Sequence, residues 1–104
     1  MNIYRFVIGI TDHQIVDMPF TSQILSVAPG RVAGNISPAA EHIDLWALVP
    51  QEAPDTPYHI WIVGTGNPMP PELTRYGMEE VARQFIGSCV MPSRLVWHVF
   101  WTPR

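Results

Sequence analysis

Four histidines, one cysteine and six arginines with no lysine are the side chains here best suited to chemistry. His13, His42, His59 and His98 fall at no His-x-His or His-x3-His spacing, and Cys89 has no cysteine to pair with. A zinc centre draws on three or four convergent donors, so the spacing predicts no metal site. Cys89 lacks the local surroundings of a cysteine nucleophile. Glu79 and Glu80 are adjacent, so on a helix they point in different directions and make poor acid/base partners. These patterns predict no catalytic residues, no cofactor and a non-enzymatic protein.

A binding function remains open. Gly64-Thr65-Gly66-Asn67 leaves an apolar run and could let backbone N–H groups approach an anion. It has neither the lysine of a P-loop nor a third glycine, and Pro68 forbids an immediate helix, so a tight turn is the plainer reading. Trp46, Trp61, Trp97 and Trp101 exceed what one small core needs. The excess suits an oligomer interface, or an aromatic wall on which a planar ligand such as a nucleobase stacks. Arginine prefers planar, two-pronged contacts to phosphate or carboxylate, and Arg75 and Arg94 sit in loops near such a wall. His98, on an apolar strand, could hydrogen-bond a ligand in a cleft. The candidate ligand-binding residues are therefore Trp61, Thr65, Asn67, Arg75, Arg94, Trp97 and His98. A net charge of −3 with dispersed arginines argues against binding duplex nucleic acid through its phosphates.

The elements that must position these residues are mostly strands. Leu95 to Trp101 is apolar at both parities of a period of two, so both of its faces need cover, from a second layer or a partner subunit. Residues 3–10 alternate Tyr4, Phe6 and Ile8 against Ile3, Arg5 and Val7. Short strands follow at His13–Asp17, Gln23–Val27, Glu41–Val49, Tyr58–Thr65 and Gln84–Val90. Residues 29–40 read as a loop or irregular hairpin, and residues 50–57 as a surface loop. Met78, Val81, Ala82 and Phe85 fit one helical face, with Glu79 and Glu80 early and Arg83 late, as the helix dipole favours. The pattern predicts a mainly β fold over residues 1–104 as one domain. It would be an antiparallel sandwich or partly closed barrel of six to seven short strands, with one short helix near 78–85. No segment reaches membrane-spanning length and none reads as a signal sequence, so a cytoplasmic protein is expected.

Several blocks occur in a set order: Ile24-Leu25-Ser26-Val27, Leu45-Trp46-Ala47-Leu48-Val49, Ile62-Val63-Gly64-Thr65-Gly66, Phe85-Ile86-Gly87-Ser88 and Leu95-Val96-Trp97-His98-Val99-Phe100. With the Met18-Pro19 turn, the set resembles a family of small bacteriophage and prophage proteins that end in a Val-Trp-His-Val-Phe strand. The chain departs from that pattern in carrying Asn67 where histidine often follows the Gly-Thr-Gly, and in an apparent insertion at 69–83. The resemblance implies a phage-type accessory protein in a bacterial host cell, antagonising antiviral defence, and supplies no mechanism. With the tryptophans and arginines it gives the expectation of a homo-oligomer that sequesters a nucleotide-like small molecule. The alternatives are a protein-binding inhibitor of a host defence complex and a minor virion or assembly component.

Overall fold

The computed structural model describes residues 1–32, 35–36 and 42–103. Strands β1 (Asn2–Gly9), β2 (His13–Pro19) and β3 (Gln23–Pro29) come first, then the two-residue strands β4 (Arg31–Val32) and β5 (Asn35–Ile36). The long strands β6 (His42–Val49) and β7 (Asp55–Gly64) precede two short helices, α1 (Pro71–Thr74) and α2 (Met78–Gln84). Strands β8 (Phe85–Val90) and β9 (Val96–Thr102) follow. Two antiparallel sheets result, one ordered β1-β6-β3 and the other β2-β7-β9-β8, with β4 and β5 paired apart from both. The fold is the expected mainly β sandwich, and neither sheet closes into a barrel.

Alternation along the strands explains why the sheets stack. Ile43, Leu45 and Ala47 of β6 turn inward with Ile8 of β1, opposite Tyr58, Ile60 and Ile62 of β7, Met18, Cys89 and Val99. Trp97 and Trp101 pack on the rim of that core. The Tyr58 hydroxyl donates toward the carbonyls of Ser22 (3.2 Å) and Pro19 (3.4 Å), tying the β2–β3 corner to the opposite strand. At one edge the sheets approach closely: a Cβ on Gly87 of β8 would lie 3.4 Å from Val27 of β3.

The outer face of β9 is covered by the chain itself. A second apolar cluster of Trp61, Val63, Leu73 and Phe100, joined by Met69 and Val81, sits between the four-stranded sheet and the 69–84 segment. Leu73 of α1 plugs it at 1% exposure. The greasiness of β9 therefore needs no partner subunit. The exposed apolar side chains lie elsewhere, most densely on β1, where Ile3 is 61% and Val7 60% exposed.

Several boundaries differ from expectation. Strand β7 starts at Asp55 and runs through Pro57 because its pairing with β2 extends to Pro19↔Asp55; the loop before it is only residues 50–54. Pro71 opens the unforeseen α1 at a position where its missing N–H costs nothing. The expected helix is α2, yet Met78 is exposed, and Phe85 is no longer helical (φ −69°, ψ 129°) because it starts β8. Of the expected apolar face only Val81 packs inward. The segment read as a loop over 29–40 contains the end of β3 and the β4–β5 pair; its residues 33–34 and 37–40, together with Glu41 of the expected strand, lie outside the described residues.

A polar clamp holds the outer face of the three-stranded sheet. Asp44 is fully buried, with Arg31 Nε at 3.4 Å and Arg5 Nη1 at 3.6 Å from its Oδ2. His42 Nε2 stands 4.0 Å from Oδ1, which has no hydrogen-bond partner. Arg31 also lies over the Trp46 ring, 5.5 Å from its centroid. Gly30 packs directly against the His42 ring, so a side chain at residue 30 has no room. Trp46 thus braces a structural clamp, and Trp101 packs against Tyr58 in the core. Half of the tryptophan surplus is accounted for in this way.

Candidate functional site: an aromatic cleft at one end of the sandwich

The end of β7, the start of β9 and the loop at 67–71 enclose two adjoining clefts. The first, about 480 Å³, is lined by Asp12, Trp61, Val63, Pro68, Met69 and Pro71, among others. The second, about 440 Å³, is lined by Thr65, Arg94, Leu95 and Val96. Gly64, Asn67 and Trp97 border both. The register sets this meeting, because the last β7–β9 pair is Gly64↔Trp97.

Gly64 is required for the close fit. A Cβ there would stand 2.8 Å from Asn67 Nδ2 and 3.1 Å from Trp97 Cζ3. The next residues make a β-turn, closed by the Asn67 N–H donating to the Gly64 carbonyl at 3.0 Å, with Gly66 at φ 86°. That left-handed backbone favours glycine. Across the cleft the turn from Met91 to Arg94 is closed by the Arg94 N–H donating to the Met91 carbonyl at 2.8 Å. Arg94 itself sits at φ 73°, a strained conformation for a residue with a Cβ. Strain of this kind tends to gather where function over-determines geometry.

Beside the turn, His98 is held at both ring nitrogens. Its Nε2 is 2.7 Å from Thr65 Oγ1 and its Nδ1 is 2.7 Å from Ser88 Oγ. A neutral imidazole has one N–H and one lone pair, so one hydroxyl accepts from the ring and the other donates to it. The chain of contacts fixes the ring and presents Thr65 to the cleft. His98 therefore lies on the outer face of β9, hydrogen-bonded, and does not belong to the apolar core.

Of the expected ligand-binding residues, Trp61, Thr65, Asn67, Arg94 and Trp97 line these clefts, and His98 joins them through Thr65. Arg75 does not: it is exposed at the end of α1 and lines neither cleft. Trp61 is mostly spoken for. Its indole N–H donates to Thr102 Oγ1 at 3.0 Å, and one face is covered by the His13 ring at 4.2 Å. Trp97 is the half-buried indole left to meet a ligand. Ser88 escaped the sequence reading because its role follows from the Ser88↔His98 register, which needs the β8–β9 pairing first.

Cys89 points into the core. Burial, and secondarily the negative charge of Asp44, push its thiol pKa up, which keeps it protonated and unreactive. Among the described residues no group of three His, Cys, Asp or Glu side chains converges as a metal cage would. No helix among them is long and apolar enough to cross a membrane.

Fold and site define a small two-sheet β protein with an aromatic cleft at one end. The chain belongs to the family described as a domain of unknown function, DUF7352, whose model matches residues 1–104. No curated protein and no solved structure matches it.

Proposed function

We propose that this protein binds a small, planar, anionic molecule of nucleotide type in the cleft around Trp97, without transforming it. The observation that carries the reading is the convergence of an available indole, a glycine turn and an arginine on one concavity: Trp97, Gly64 to Asn67, and Arg94. Trp97 offers a stacking face, worth about 1–3 kcal/mol per base in single-strand binders. Arg94 supplies a fork for phosphate oxygens, and Asn67 and Thr65 supply polar contacts to fix orientation. The volume suits such a ligand, since small-molecule sites commonly span about 300–1,000 Å³. The resemblance to phage and prophage proteins extends the reading to a biological role: sequestering a nucleotide signal used by a host's antiviral defence.

Thermal-shift titration against a panel of cyclic mono- and dinucleotides tests the proposal. One or more should raise the melting temperature, and Trp97→Ala and Arg94→Gln should each abolish the rise. A flat response across the panel refutes it. The exposed edge of β1, with Ile3, Tyr4 and Val7 open to solvent, favours a second reading in which the protein acts by strand addition, to another copy of itself as a homo-oligomer or to a host defence protein. An edge strand of this length with no proline or lysine is poorly guarded against such pairing. Mass measurement in solution, alone and with host extract, separates the two cases.

A further inference from the structure

The two clefts that meet at Trp97 carry opposite charge. Each is lined by one ionisable side chain, Asp12 in the first and Arg94 in the second. Neither belongs to a salt bridge among the described residues. Asp12 is tied to β7 through its backbone, whose carbonyl accepts from the Ile62 N–H at 3.2 Å. That contact fixes its place and leaves the carboxylate uncommitted. Much of the remaining wall of the first cleft is apolar, with Val63, Met69 and Pro71 among its residues. Trp61 is a closed part of the same wall: His13, whose Nε2 lies 2.7 Å from His59 Nδ1, covers that indole at 4.2 Å. Trp97 and Asn67 line both clefts, so one molecule can occupy the pair.

Charge decides which end of a ligand goes where. Phosphate is drawn to Arg94 and repelled by Asp12, so the anionic end belongs in the second cleft. Thr65 stands there too, its hydroxyl 2.7 Å from His98 Nε2. The planar end then lies in the first cleft and shares it with Asp12. An ionised carboxylate only accepts hydrogen bonds, and losing its water without gaining donors is costly. The base must therefore bring donors to it. Guanine carries two side by side, N1–H and the N2 amino group, spaced to meet both carboxylate oxygens, and two-pronged charge-assisted pairs of this kind are strong. Adenine sets one donor beside the N1 lone pair, and cytosine one beside N3, so a carboxylate meets repulsion as well as attraction. Uracil and thymine place carbonyls on both sides of a single N–H.

We infer that the paired clefts select a guanine nucleotide, with Asp12 reading the base, Trp97 against its ring and Arg94 on the phosphate. This selection rests on the nucleotide-binding reading of the cleft and adds the identity of the base.

Calorimetric titration with the cyclic monophosphates of guanosine, inosine and adenosine, which differ only in the base, tests the assignment. Guanosine should bind tightest, by about tenfold or more over adenosine, with inosine, which lacks the amino group, between them. That ranking is read in the unsubstituted protein, independently of how any variant folds. Asp12→Asn should remove most of the guanosine preference and leave adenosine binding no weaker, whereas Arg94→Gln should weaken all three alike. Adenosine binding as tightly as guanosine, or Asp12→Asn weakening all three equally, would overturn the base assignment alone. Failure of all three to bind would overturn the nucleotide reading together with it.

Discussion

Replacing Leu73 by alanine tests whether the helical segment is a structural seal or an ornament. Leu73 is 1% exposed and is the fully buried helical residue of the plug that also contains Trp61, Val63 and Phe100, with Val81 of α2 packed against it. Truncation removes three carbons from a site bounded by two aromatic rings and a β-branched residue on a stiff sheet. Such surroundings collapse poorly into a cavity, so the cost belongs in the upper half of the leucine-to-alanine range, about 3–5 kcal/mol. That is a large share of the roughly 5–15 kcal/mol holding a domain together. At about 2.1 cal/mol/K of unfolding entropy per residue, the melting temperature should fall by roughly 14–23 °C. Urea unfolding followed by tryptophan fluorescence gives the free energy directly. Leu95→Ala, at a position 57% exposed, serves as the reference and should cost under about 0.5 kcal/mol. If Leu73→Ala costs no more than that reference, the segment does not seal the outer face of β9, and the account of how that strand is covered fails.

Further outcomes follow from the same geometry. Gly64→Ala crowds Asn67 and Trp97 without straining the backbone; it should cost about 1–3 kcal/mol and weaken ligand binding measured by thermal shift. Arg94→Gly should relieve a left-handed backbone and raise stability by roughly 1 kcal/mol in urea unfolding, while abolishing the nucleotide-induced shift. Tyr58→Phe removes the hydroxyl from the Ser22 and Pro19 carbonyls, which should cost about 0.5–1.5 kcal/mol by the same unfolding measurement. For Cys89, a thiol pKa raised on folding means the unfolded chain loses its proton first. Stability should therefore decline as pH rises above the unfolded value of about 8.5, and a Cys89→Ala variant should show a shallower decline. Native Cys89 should also resist alkylation at pH 8 until urea is added, as mass spectrometry would report.

Strand periodicity was the most legible part of the chain. A period of two sets Ile43, Leu45 and Ala47 on one face of β6 and Asp44 with Trp46 on the other, and the core contains the first three. The cleft was also partly readable, because a glycine turn and a tryptophan-rich strand are local signals that the Gly64↔Trp97 pairing brings together. Helical spacing misled at Met78 and Phe85. A run of seven helical residues is too short for periodicity to say which side is buried, and the start of β8 takes Phe85 out of the helix. Arg75 was expected in a loop near the aromatic wall, but it caps α1 and lines neither cleft. The contacts of His98 with Ser88 and of His13 with His59 depend on pairings between distant segments, which no local pattern encodes.

The bare flank of β1 would shape any assembly built through it. The three-stranded sheet has two borders, β1 and β3, and beside β3 the side chain of Val27 packs toward Gly87 of β8 in the other sheet. A two-fold union of β1 with its counterpart would extend the sheet to six strands and use up the β1 border in both molecules. A union of that kind is isologous, so it would close on itself at β1 and could not propagate through that border as a fibre.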